Sequence, residues 1–198
     1  MQTVLPSSTA LGHSSSRPIA SSVPRRIAVA VAATAFVALC ARISVPLPFT
    51  PVPLTLQNFA VLLVGLTLGP AAGLAAMVLY LAEGAIGMPV FNPQGLGGLL
   101  QLFGPTGGYL LSYPFAAAAA GWAVRSLGFR SLYARAAVAC TLATIVIFAF
   151  GTTWFAQFLH LGTPAVWQMA VAPFLPGEIV KVAAAAGIYS SISRWRRA

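Results

Sequence analysis

Six long apolar stretches, separated only by short clusters of proline, glycine and polar residues, dominate the chain from residue 27 onward. They run at about 27–45, 55–68, 70–87, 105–125, 134–159 and 165–193. Backbone surrounded by hydrocarbon must satisfy its own N–H and C=O groups, and repeated apolar segments of this kind do so as membrane-spanning helices. Composition agrees: 59% of the 198 residues are hydrophobic and only 7% charged, against about 25% charged in an ordinary soluble domain. Too little polar surface exists to coat a globule in water. The reading is an all-α integral membrane protein with six transmembrane helices and both termini cytoplasmic. Its second stretch is short for a bilayer of about 30 Å, so it either lies buried against protein or thins the membrane locally.

Charge sets the topology. With the N-terminus inside, Arg25, Arg26, Arg125, Arg130, Arg135, Arg194, Arg196 and Arg197 fall at cytoplasmic ends and only Arg42 falls toward the outer side. This asymmetry obeys the positive-inside rule for an even number of spans. Residues 1–24 hold seven Ser and no acid and have no periodic apolar face, so they read as a disordered cytoplasmic tail ahead of a transmembrane substrate-binding domain over 25–198. Arg25 and Arg26 before an apolar run also resemble the start of a secretory signal, but no small-x-small cleavage site follows and Leu39 does not suit a lipoprotein signal ending at Cys40.

Net charge is +9, yet the basic residues form no patch interleaved with aromatics, which excludes nucleic acid as a partner. Cys40 and Cys140 are too few for a disulfide framework and no His or Cys spacing points to a metal. Both read as ordinary buried apolar residues. The chain's one lysine lacks the Gly-rich loop of a nucleotide-binding P-loop, and no nucleophilic constellation lies at membrane depth. Any energy source is therefore a partner or a gradient.

The chemistry concentrates in Glu83, Glu178 and Lys181, the only acids and the only lysine, all inside apolar stretches. An ionisable group at a helix centre costs about 2.5–3.5 kcal/mol on insertion scales, so it faces a cavity or a partner. Counted from the cytoplasmic helix ends at 1.5 Å per residue, Glu83 sits roughly 20 Å, Glu178 roughly 22 Å and Lys181 roughly 18 Å up. Gln57 and Asn58 open the second stretch at that same level, and Asn92, Gln94 and Gln101 lie in the adjoining loop. Polar groups from four segments thus converge on a pocket open to the outside. Glu178 and Lys181, three apart, share a helix face, and Pro173, Pro176 and Gly177 break the helix just ahead of them. The bland alternatives stay open: Glu178 and Lys181 as an internal salt bridge that binds nothing, Glu83 reaching the interface or pairing with Arg42, and Gln57 and Asn58 as helix caps. Phe49, Phe91 and Tyr109 suit stacking on a ligand or interfacial anchoring. Residues 46–54 (PLPFTPVPL), with four prolines, are stiff and extended; residues 88–104 are too apolar for a solvated loop, and both fold back over the outer mouth. Ala28, Ala32 and Ala35 form a small-residue stripe that permits close helix contact.

Four segments in order, VPLPFTPVPLTLQNFAVLLVGLTLGP (45–70), YLAEGAIGMPVF (80–91), GPTGGYLLSYP (104–114) and PFLPGEIVKVAAAAG (173–187), closely resemble the BioY family of biotin transporters. The resemblance covers nearly all of residues 27–195 and leaves the N-terminal tail outside. It implies a six-helix substrate-capturing S component of an energy-coupling-factor (ECF) transporter in the bacterial cytoplasmic membrane. Such a component works with a transmembrane coupling protein and ATPase subunits, which alone use ATP; it carries no cofactor of its own. The resemblance also implies that Ala28 and Ala32 meet the coupling protein and that Glu178 and Lys181 are the family's last-helix acid and lysine. The acid is more often Asp in the family, so Glu178 is longer by one methylene. Biotin suits the pocket: Lys181 can supply the cation for its carboxylate, and Glu178 and Gln57 can meet its ureido ring, with two N–H donors and one carbonyl. Its apolar parts would lie against Phe91, Tyr109 and the proline-rich lid. The rivals are an S component for another small vitamin and a membrane-embedded enzyme using Glu83 and Glu178 as acid and base.

The arginine distribution is directly testable. A reporter fused after Ala198 is expected on the cytoplasmic side, and cysteines placed within residues 46–54 are expected to react with an impermeant reagent from outside; a periplasmic reporter would rule out six spans.

Overall fold

Residues 23–195 are described by the computed structural model. Along them run α1 (Val23–Arg42), β1 (Ser44–Leu47), β2 (Thr50–Thr55), α2 (Gln57–Leu68), α3 (Pro70–Ala85), α4 (Gly98–Leu102), α5 (Gly107–Ser126), α6 (Leu132–Leu159), α7 (Thr163–Ala170) and α8 (Leu175–Trp195). A 3-10 turn at Ala172–Phe174 joins α7 to α8. The expected tail over 1–24 falls, up to residue 22, outside the described residues, while Val23 and Pro24 already belong to α1.

One departure from the all-α expectation, and one break that the prolines predict, have local causes. The proline-rich segment is extended as expected, but it also pairs with itself as an antiparallel β1–β2 hairpin, in the register Ser44↔Thr55, Val45↔Leu54 and Leu47↔Thr50. Proline lacks an N–H to give to a ladder, and the register is irregular between Val45 and Leu47, where Pro46 stands. The sixth apolar stretch is divided into α7, the 3-10 turn and α8, because Pro173 cannot donate within a continuous helix.

Among the described residues, three segments are long and apolar enough to cross a membrane: Val23–Arg42, Leu132–Leu159, and Thr163–Trp195 taken through its break. α2 and α3 are shorter. At 12 residues α2 spans only about 18 Å, and it lies buried against protein, with Ala60, Val61, Leu62 and Leu66 nearly inaccessible. Apolar side chains such as Leu39, Leu142, Ile145, Ile179 and Val180 cover the bundle's outer surface, the arrangement that lipid as solvent demands.

At the centre stands α5, packed against α2, α3 and α6. Its inward positions Ala116, Ala117, Ala120, Gly121 and Ala123 are all small, so neighbouring backbones approach closely. At Gly121 a Cβ would lie 2.5 Å from the Gly69 carbonyl carbon and 2.7 Å from the Gly65 oxygen, and at Gly65 one would lie 2.5 Å from the Ala117 oxygen. Gly69 itself turns the chain from α2 into α3 with φ 85°, a conformation that favours glycine, and Pro70 starts the next helix. The tight α2–α3–α5 seam anchors the opposite ends of these helices, which carry the functional groups.

Gly121→Leu is expected to lower stability by about 1–3 kcal/mol through overpacking of this seam, read from thermal unfolding in detergent. Gly187→Ala in α8, whose added Cβ meets nothing within 4 Å, serves as the control and should leave stability unchanged or slightly raised.

Candidate functional site

At the end of the bundle where the hairpin sits, α2 and α8 begin, α3 ends and α5 begins. A small cavity opens between these ends, lined among others by Val52 and Pro53 of the hairpin, Gln57, Asn58, Asn92, Tyr109, Tyr113, Phe148, Glu178 and Lys181. It is small, with ≈ 40 Å³ open to the centres of water-sized molecules.

Glu178 and Lys181 form its floor. Lys181 Nζ donates to Glu178 Oε1 at 2.7 Å, and both residues are buried. The break before α8 puts Glu178 in the first turn of that helix, where free backbone N–H groups and the helix dipole favour negative charge. Asn58 Nδ2 donates to the same Oε1 at 3.1 Å, and Tyr113 donates its hydroxyl to Asn58 Oδ1 at 3.0 Å. The order of these bonds is forced: a carboxylate can only accept, so the Asn58 amide turns its NH2 to Glu178 and its oxygen to Tyr113. Glu178 Oε2 is left buried without a partner, and so is Asn92 Oδ1.

The second polar line runs along the cavity's other side. Gln57 Nε2 donates to the Tyr80 hydroxyl at 2.8 Å, and that hydroxyl donates to the Val90 carbonyl at 2.8 Å. Tyr109 donates to the Ala170 carbonyl, satisfying the end of α7, and its ring packs over Gly151 of α6, where a Cβ would come within 2.3 Å. Neither Gln57 nor Asn58 acts as a side-chain cap of α2, which settles one of the alternatives left open above.

Of the expected site residues, Gln57, Asn58, Asn92, Tyr109, Glu178 and Lys181 are brought together. Glu83 and Phe91 are not. Glu83 turns toward α1 and accepts from Thr34 Oγ1 at 3.1 Å, while Arg42 donates to the Pro89 carbonyl instead of pairing with it. Equal depth in a helix fixes height but not azimuth, and the azimuth of Glu83 faces α1. Glu83 and Glu178 therefore share no cavity as acid and base. Phe91 is buried edge-on against Tyr80, with ring centroids 5.5 Å apart, and fills the notch over Gly84. Phe49 is exposed on the hairpin. Ala28, Ala32 and Ala35 are all exposed on α1. Sequence reasoning missed Tyr80, Tyr113 and Phe148; Tyr113 stands one helical turn beyond Tyr109, a spacing that puts both on one face.

A family model described as the BioY family matches residues 12–198. The chain belongs to the BioY family. The matched range takes in residues 12–24 as well, so the family extends into the stretch read as lying outside it. The chain is 37% identical over 135 residues, 68% of its length, to a probable biotin transporter BioY of Pyrococcus horikoshii, 76% of which is covered. It is 35% identical to the biotin transporter BioY of Rhodobacter capsulatus, covering 77% of this chain and 84% of that one. It is 32% identical to the biotin transporter BioY of Rhizobium etli, with 81% and 88% covered. Among solved structures, the S-component for biotin from an ECF-type ABC transporter superposes with a TM-score of 0.76 over 86% of this chain and 92% of that one. At 23% identity, that likeness establishes a shared fold.

The floor of the cavity makes a stability prediction. Lys181→Met leaves Glu178 buried and uncompensated and is expected to lower stability by about 3–5 kcal/mol, whereas adding Glu178→Met should restore most of the loss, as followed by thermal unfolding in detergent.

Proposed function

We propose that this protein captures biotin as the substrate-binding S component of an ECF-type transporter. In this reading the chain crosses the cytoplasmic membrane six times, with both termini cytoplasmic and the hairpin end of the bundle outside. It is a binding subunit and not an enzyme, and ATP is hydrolysed by partner subunits joined to it through a coupling protein. The arginine distribution supports the topology, and the family relationship supports the substrate and the partners.

The observation that carries the choice of ligand is the excess of unoccupied acceptors around a neutralised ion pair. Glu178 Oε2 and Asn92 Oδ1 lack partners, and Gln57, which gives one amide N–H to Tyr80, keeps its oxygen unbonded beside the cavity it lines. A ligand must bring N–H donors to them, and the ureido ring of biotin has two. Glu178 and Lys181, 2.7 Å apart, meet the same end of the ligand. That proximity redirects the expectation that Lys181 binds the carboxylate, since an anion there would also face Glu178. The ureido ring sits at the pair, its carbonyl toward Lys181, and the carboxylate points toward the hairpin.

Purified protein is expected to bind labelled biotin at equilibrium. Lys181→Met should weaken binding by at least about a hundredfold, the equivalent of the roughly 3 kcal/mol lower bound for breaking a buried pair. Wild type should bind biotin amide within about tenfold of biotin, because the carboxylate lies away from the pair. A strong preference for biotin that Lys181→Met abolishes would return the carboxylate to Lys181. Absence of any biotin binding would overturn the reading itself. Because Ala28 and Ala32 are exposed on α1, Ala28→Trp with Ala32→Trp should leave biotin binding intact while lowering uptake in cells that supply the ATPase module. A parallel fall in both would make the stripe a packing surface within the subunit.

A further inference from the structure

Tyr80 lies outside the cavity lining yet touches two of the elements that supply its acceptors. Its hydroxyl is fully buried with exactly two partners, the Gln57 side-chain amide and the Val90 backbone carbonyl, both at 2.8 Å. A carbonyl can only accept, so the one hydroxyl proton goes to Val90. The Tyr80 oxygen is then an acceptor for Gln57 and must be met by the NH2 of its amide. Gln57 Oε1 is thereby turned away from Tyr80, and no other hydrogen bond to the Gln57 side chain forms among the described residues. The same tyrosine also seats the strand of loop that carries Asn92. Val90 is hydrogen-bonded to it, Phe91 packs edge-on against its ring, and the notch at Gly84 holds Phe91 in place. Asn92 follows directly, with its buried oxygen unpartnered.

We propose that Tyr80 is a positioning residue for ligand specificity: its single proton, committed to Val90, orients the Gln57 amide so that the cavity presents acceptors and selects a ligand with N–H donors. This inference rests on the biotin reading and extends it to a residue that does not touch the ligand. Without the hydroxyl, the Gln57 amide loses the partner that distinguishes its two ends. It can then rotate and offer a donor where an acceptor stood.

The test compares biotin with a biotin derivative methylated on its ureido nitrogens, by equilibrium binding to purified protein. Wild type should bind biotin and reject the methylated form; if it binds neither, the biotin reading fails and not this inference. Tyr80→Phe, which keeps the ring against Phe91, should weaken biotin by roughly tenfold and narrow the discrimination against the methylated form. In a Gln57→Ala background, adding Tyr80→Phe should weaken biotin by clearly less than it does in the wild-type background, because the part of the effect that passes through Gln57 is already gone and only the Val90 bond that seats Asn92 is left to lose. Additive losses in the two variants, or a Tyr80→Phe protein with wild-type discrimination, would overturn the proposal. Should Tyr80→Phe not fold, Gln57→Met gives the second readout: it lacks both amide atoms and is expected to lose the same discrimination, and its retention of wild-type discrimination would overturn the proposal as well.

Discussion

A carboxylate and an ammonium buried 2.7 Å apart, in a protein with one other acid and no other lysine, impose conditions on everything around them. Each ion removed from water loses several kcal/mol of solvation, and mutual attraction offsets that only if the remaining hydrogen-bonding capacity is also met. Here the chain meets part of it. A break in the last apolar stretch starts α8 just ahead of Glu178, so the acid sits at a helix start. Asn58 reaches it from α2, and Tyr113 fixes Asn58 from α5. One carboxylate oxygen, Oε2, remains without a partner. A buried polar atom left unpaired weakens a fold, and in the proposed reading a ligand N–H is what meets this one.

The architecture serves that floor. The glycine and alanine seam lets α2 and α3, too short to cross a bilayer unaided, pack at backbone distance against α5, which holds their far ends in register. The hairpin, rich in proline and unable to extend its ladder, closes the cavity with Val52 and Pro53 instead of joining a larger sheet. The cavity is consequently small, polar on one side and covered by parts that are not held by helical packing. In the proposed reading, recognition is a matter of which hydrogen-bonding ends face inward, and two chains of bonds orient them: Tyr113 to Asn58 to Glu178, and Gln57 to Tyr80 to Val90. In each chain the last acceptor cannot donate, so the orientation of every group upstream is determined.

The sequence by itself determined the solvent, where most of the helices lie and the most important pair. Apolar runs fix where helices lie because lipid offers no partner for a free backbone group. Four prolines rule out helix at 46–54, and the spacing of Glu178 and Lys181 on one turn dictates that they share a face. Tertiary structure alone decided which polar residues at one depth meet. Glu83 and Glu178 stand at similar heights, yet Glu83 faces Thr34 on α1 and Glu178 faces Asn58, since height follows from counting residues but azimuth follows from how helices rotate against their neighbours. Phe91 was moved from ligand platform to core by the notch at Gly84, and Tyr80 and Tyr113 became parts of the site through bonds to residues 10 and 55 positions away. Such contacts depend on packing between segments distant in the chain, and no local periodicity records them.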